Sequence, residues 1–424
     1  MITQKFPSLV IIRSISIALL TPLLLIIPIL AKSGPAPGFQ IPEPTGPYKV
    51  GTRYLYFADT STPDSYTPDP NDYREISVQF WYPARVSRRA TPIPYLNKEA
   101  VEHFSKYFNS SPEQNRPLAE ASTHAYLNAP VDKRGAPYPV VLYSPSSQMS
   151  ENTALYEELA SHGYIVAVVG SPHWVIIRFG DKGENVLLDK NDESNQKMWA
   201  EENLPEVNST KEVLTAAPTL EAKVNAQLRL NQLMTLEIAD IRLWAGDLSA
   251  VVDKLEELNT GEGFFSSKID LDAIGSIGFS KGGAASGQFC VTDDRCRAGV
   301  NLSGFMFGDI VERNVSVPFM ILESIEPWCE NCRPICDVIY SYAEDSAYIL
   351  QVQGARHGNF SDWSMHEILK EFGMLGPIEA QRMIQIQNTY VLAFYNRHLK
   401  DHRVPLLDAP SSEYPEVLFE SQHP

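Results

Sequence analysis

The chain has 424 residues, 44% of them hydrophobic and 21% charged, a balance that supports a large buried core and excludes a disordered chain. Its formal net charge is −17, and −20 without the first 33 residues, which hold Lys5, Arg13 and Lys32 but no acid. Phosphate backbones and anionic bilayers repel so acidic a chain, so nucleic acid is not an expected partner and contact with lipid is at most transient.

Lys5 and Arg13 precede an apolar run from Ser14 to Ala31, broken by Pro22 and Pro28 and followed by the small residue Ser33. Residues 1–33 therefore read as a cleaved signal peptide for a secreted or periplasmic protein, with a retained anchor as the alternative. The Pro- and Gly-rich stretch 34–47 reads as an extended, unpacked linker, and 48–424 as the folded domain. From Tyr48 to Ala84 alternation predicts antiparallel strands, clearest in Glu75-Ile-Ser-Val-Gln-Phe-Trp-Tyr82, around a polar loop over Thr60 to Asp72. No strong period stands out from Pro92 to Pro137.

Short apolar runs without alternation then follow at Val140–Tyr143, Ile165–Val169, Ile274–Gly278, Ala298–Leu302, Phe319–Leu322 and Ile349–Val352. Such runs suit strands of a parallel sheet buried on both faces. Helical spacing appears between them, over Asn152–Ala160, Leu236–Leu258 and Ile378–Leu399. The polar, acidic stretch within about 174–235 reads as an insertion over the carboxyl edge of the sheet. Cys290 and Cys296 bracket a turn-like loop that a disulfide can close, while Cys329, Cys332 and Cys336 suggest one pair and one thiol. No local spacing supplies a fourth ligand for zinc, so neither a metal nor an organic cofactor is expected.

The sharpest feature is Gly278-Phe-Ser280-Lys-Gly282, directly after an apolar strand and before the small-residue helix start Ala284-Ala-Ser-Gly287. A serine on so tight a strand-to-helix turn has strained backbone angles and needs glycines two residues either side. This predicts an α/β-hydrolase fold, with a mainly parallel central sheet flanked by helices, and Ser280 as nucleophile. The base belongs after the last strand of the series, where His357 stands in Gln353-Gly-Ala-Arg-His357-Gly-Asn-Phe-Ser-Asp362.

Tyr138-Pro-Val-Val-Leu-Tyr-Ser144, Leu159-Ala-Ser-His-Gly-Tyr164, the serine turn and His357-Gly-Asn-Phe-Ser-Asp362 together resemble the plasma-type platelet-activating-factor acetylhydrolases. The resemblance covers most of the chain after residue 46 and thins between His173 and Leu236. It implies an esterase that removes short or oxidised acyl chains from phospholipid-like esters through an acyl-serine intermediate. It puts the nucleophile on Ser280, the base on His357 and the oxyanion donors on the N–H groups of Lys281 and Ser147.

Two departures stand out. Where the family reads Ser-His-Gly-Leu-Gly, this chain reads Ser144-Pro-Ser-Ser147-Gln148, and where it places its triad Asp the chain has Ser303. A hydroxyl cannot offset an imidazolium charge. The expected replacement is Glu326, preferred over Glu323, both following the next strand. The alternatives are a general carboxylesterase or polyester hydrolase, and a catalytically silent binding protein on the same fold.

Overall fold

The computed structural model describes residues 39–187, 193–324, 332–366, 369–370 and 372–423. The predicted signal segment, Glu326 and Cys329 lie outside the described residues.

The strands, in chain order, are β1 (Lys49–Pro63), β2 (Tyr73–Ala84), β3 (Ala125–Leu127), β4 (Tyr138–Ser144), β5 (Ile165–Gly170), β6 (Ile177–Phe179), β7 (Asn185–Leu187), β8 (Ile269–Phe279), β9 (Cys296–Leu302), β10 (Phe319–Ser324), β11 (Ala347–Val352) and β12 (Val417–Gln422). Ten of them form one sheet in the order β12-β11-β10-β9-β8-β4-β5-β2-β1-β3, and β6 and β7 form a separate hairpin. From β5 through β4, β8, β9 and β10 to β11 the pairing is parallel. The β1–β2 hairpin joins β5 antiparallel, and β12 does the same to β11 at the other edge. This is the α/β-hydrolase architecture that the apolar runs predict.

The helices are α1 (Lys98–Tyr107), α2 (Pro112–Glu120), α3 (Thr153–Ser161), α4 (Glu193–Glu202), α5 (Pro205–Ala216), α6 (Leu220–Leu233), α7 (Thr235–Thr260), α8 (Lys281–Thr292), α9 (Cys332–Ser341) and α10 (Ala380–His398). Every residue of β4 and β5 is buried, as the pleat requires of a strand covered on both sides. Val141 and Tyr143 of β4 face a core with Leu155 and Leu159 of α3 and Phe394 of α10. Val140 and Leu142 face the opposite core, with Leu248, Val252 and Leu255 of α7. The stretch read as an insertion holds the β6–β7 hairpin and α4 to α6.

Two expectations differ from the structure. The described part of the linker is packed rather than loose: Phe39 and Ile41 are buried in the core, and Thr45 Oγ1 donates to Glu158 Oε1 at 2.5 Å. The prolines set an extended path, but the two apolar side chains still find the core. The region 92–137, without an evident period, folds into α1, α2 and β3. Both helices are short, and each begins at a side-chain cap, Asn97 or Ser111.

Candidate active site

β8 delivers Phe279 to the carboxyl edge of the sheet, and the chain turns at once into α8. Ser280, at the turn, has φ 54° and ψ −122°, a conformation that costs a non-glycine residue on the order of 1–3 kcal/mol. The neighbours hold it there: Ser280 N–H donates to Leu302 O at 3.0 Å, and Gly283 N–H donates to Ser280 O at 2.9 Å. A Cβ on Gly278 would run into Gly282 O, and one on Gly282 into Ser144 O. The glycine pattern is therefore a steric requirement of this turn. The N–H groups of Lys281 and Gly282, at the start of α8, precede the first bonded amide of the helix, the Gly283 N–H.

His357 opens a 3₁₀ turn beyond β11 and is buried against Phe279, the two rings stacked 4.7 Å apart. Its Nδ1 lies 3.0 Å from Ser303 Oγ, and Ser303 is the residue that stands where the resemblance puts the family's triad Asp. A hydroxyl there fixes the ring's orientation without offsetting its charge. Burial lowers the imidazole pKa to about 4, opposed by a backbone hydrogen bond at Ser303. The sequence-predicted serine and histidine thus stand on the loops after β8 and β11, with Ser303, after β9, between these strands in the sheet order.

The acid candidates part here. Glu323, the next-to-last residue of β10, is buried, and its Oε2 accepts from the Cys336 thiol at 3.0 Å. Its carboxyl pKa is raised by burial, and the thiol's is raised well above its usual value by the same cause. Cys290 and Cys296 form the expected disulfide.

The loop after β4 differs from expectation. Ser147 N–H, the expected oxyanion donor, donates to Glu151 Oε2 at 3.1 Å. Ser146 N–H donates to Glu151 Oε1 at 2.7 Å, and Gln148 N–H to Oε2 at 3.4 Å. Three successive amides thus converge on one carboxylate, a backbone nest already filled by the protein's own anion. Glu151 is fully buried, and desolvation outweighs these bonds to push its pKa up to about 7. No sequence signal marked Glu151, because a helix-proximal glutamate is usually solvated.

The Lys281 side chain was also unforeseen. It is buried beside the Ser280 turn with its Nζ 3.8 Å from the centre of the Trp174 ring and 5.6 Å from that of Trp244. Asp240 and Glu237 of α7 pair with it at 2.5 and 3.3 Å, and Met198 Sδ of α4 lies at 3.7 Å. Tyr66, from the β1–β2 loop, donates to Asp240. His173, a further residue of this edge, pairs with Asp64 at 2.7 Å. Among the described residues no group of three or more His, Cys, Asp or Glu side chains is arranged to hold a metal ion.

A hydrolase sheet, a strained serine at its carboxyl edge and a buried histidine beyond the later strand describe a serine ester hydrolase. The chain belongs to the family of platelet-activating factor acetylhydrolase, isoform II, which it matches over residues 34–405. It is 24% identical over 377 residues to the platelet-activating factor acetylhydrolase of Canis lupus familiaris, across 85% of this chain and 77% of that one. A probable 1-alkyl-2-acetylglycerophosphocholine esterase of Arthroderma benhamiae is 28% identical over 168 residues, 34% of this chain and 43% of that one. Among solved structures, a ferulic acid esterase from Streptomyces cinnamoneus superposes with a TM-score of 0.68 at 26% identity, covering 90% of this chain and 99% of that one.

Proposed function

We propose that the protein is an exported hydrolase that removes short or oxidised acyl groups from phospholipid-like esters through an acyl-serine intermediate. The observation that carries the mechanism is the backbone of Ser280, held at φ 54° between β8 and α8. Ser280 Oγ bonds to the ester carbonyl carbon as its proton passes to Nε2 of His357. The carbonyl oxygen takes the negative charge and accepts a hydrogen bond from Lys281 N–H at the start of α8. Collapse breaks the bond to the alcohol oxygen, which leaves with the proton from the imidazolium. Water, deprotonated by the same imidazole, then releases the acyl group as its acid.

Glu326 is our choice for the carboxylate that offsets the imidazolium. Ser303 N–H donates to Leu322 O at 2.7 Å, so β10, the strand that Glu326 follows in sequence, runs beside the His357 partner, and Glu323 is already engaged with Cys336. Ser147 N–H serves as the second oxyanion donor only when Glu151 releases it. The names of the two acetyl-ester relatives support the substrate class, and the basic, apolar, small-residue order of residues 1–33 supports export. The ferulic acid esterase neighbour favours a second reading, a broader carboxylesterase.

Labelling with a fluorophosphonate and turnover of nitrophenyl esters test the proposal together. Wild type should label; Ser280→Ala should not, and should lose about 10⁶ in turnover. Glu326→Gln should lose about 10⁴. Unchanged turnover in Ser280→Ala removes the nucleophile assignment. Activity that rises steadily from acetyl to palmitoyl esters removes the short-acyl preference.

A further inference from the structure

The loop after β4 and the loop carrying His357 are joined by Asp362, a residue to which the mechanism gives no role. Its N–H donates to Glu151 O at 2.8 Å, and its Oδ2 accepts from Ala154 N–H at 3.2 Å, 208 residues away in sequence. Ala154 is the second residue of α3, so this carboxylate does the work of an N-cap. The residue in the cap position, Asn152, makes no side-chain cap bond. Its amide is committed elsewhere, donating to Tyr143 OH at 2.6 Å and accepting from Gln387 Nε2 at 2.9 Å. The start of α3 therefore takes its cap from the base-bearing loop.

The chain of contacts continues in both directions. Through Glu151 it reaches the amides of Ser146, Ser147 and Gln148. Towards His357 the path is five residues, with Ser361 Oγ–H donating to Gly358 O at 3.1 Å. Asp362 and Glu151 are both about 1% exposed, so water does not compete for these bonds.

We propose that Asp362 is a positioning residue: by capping α3 in trans it fixes the loop of Ser146 to Glu151 against the loop of His357. The inference rests on the Ser280–His357 reading. A misplacement of about 1 Å between reacting groups costs on the order of 10² in rate, and that is the scale at stake.

The test compares Asp362→Ala with Asp362→Asn in the full chain, reading kcat and KM on a nitrophenyl acetate series. Asp362→Ala should lower kcat roughly 30- to 100-fold with KM within about twofold. Asp362→Asn retains a capping oxygen and should return kcat to within about threefold of wild type. Asn97→Ala removes the cap of α1 and serves as the stability control; it should lower the unfolding midpoint and leave kcat unchanged. Wild-type kcat in Asp362→Ala overturns the proposal. So does a tenfold or greater loss in Asp362→Asn, which also decides the matter if the alanine variant does not fold. Ser280→Ala is assayed alongside: activity there would mean that the underlying mechanism has failed, whereas a dead Ser280→Ala beside an unimpaired Asp362→Ala isolates the failure to this inference.

Discussion

In the proposed mechanism His357 meets two opposed demands. As a base it must be neutral at the working pH, and burial ensures this by lowering its pKa from 6.5 to about 4. In the transition state it must carry a charge, and Ser303 meets it with a hydroxyl at Nδ1 and a backbone hydrogen bond, neither of them an anion. The sign of the pH dependence follows. The imidazole stays neutral as pH falls below 6.5, so the acid limb of kcat/KM should lie near 4. Ser303→Asp places an anion beside Nδ1 and should move that limb upward by a unit or more. A wild-type limb at 6.5 would show that the buried environment does not hold in solution. Unfolding is the poorer readout. Between pH 6.5 and 4 the unfolded chain takes up a proton at His357 that the folded chain does not, and stability from this group is lost as pH falls. Glu151, raised from 4.5 to about 7, binds its proton first in the folded state and contributes the opposite sign over nearly the same window. The places of Ser280, on a strand-to-helix turn, and of His357, after β11, were legible in the sequence because the turn chemistry and the chain order constrain them. Glu151 and Asp362 were not, because their roles arise from backbone groups that only the fold assembles.

At the scale of elements, α7 was legible from its spacing, but its bond to the Ser280 turn was not. Glu237 and Asp240 stand three residues apart, on one face of α7, and both pair with Lys281. Burial alone would lower the lysine's pKa and raise that of Glu237; the attraction between them keeps the lysine's above its usual value. Removing the cation strands two carboxylates in a buried site, a change that typically costs 3–5 kcal/mol. Lys281→Met should therefore lower the unfolding free energy in urea by about 3 kcal/mol. Adding Asp240→Asn and Glu237→Gln should recover part of it, since the methionine then meets neutral partners between the two Trp rings. Equal loss in the single and triple variants would mean that packing of the lysine stem, not its charge, is what matters. The short helices α1 and α2 carried a usable signal that went unread: Ser111 and Gln114 form a reciprocal capping box, legible as Ser-Pro-Glu-Gln.

At the scale of the whole molecule, the parallel strands declared themselves through continuous apolar runs, whereas the fit of remote segments onto one another left no local trace. The strap ahead of β1 shows this most clearly. Its prolines and glycines have the composition of a linker, yet Phe39 packs on Tyr95 with ring centres 4.7 Å apart, and Ile41 is 1% exposed. Gly46 N–H donates to Ser161 Oγ at 3.0 Å, and Tyr48 N–H to Ser161 O at 3.1 Å, so the strap is anchored along α3 before it enters the sheet. Fully burying an apolar side chain of this size contributes roughly 1.5–3 kcal/mol. A chain beginning at Gly38 keeps both side chains, as does a mature protein cut between Lys32 and Pro35, and the two should unfold at the same urea concentration. A chain beginning at Glu43 loses both and should be less stable by about 3–5 kcal/mol. Its esterase activity below the unfolding transition should change far less, because the contacts of the removed residues run to Tyr95, His366 and Gln381. Equal stability of the chains beginning at Gly38 and at Glu43 would return the strap to the status of a passive linker. A loss of activity without a loss of stability would instead make Tyr95, beneath Phe39, part of the machinery that holds the base loop.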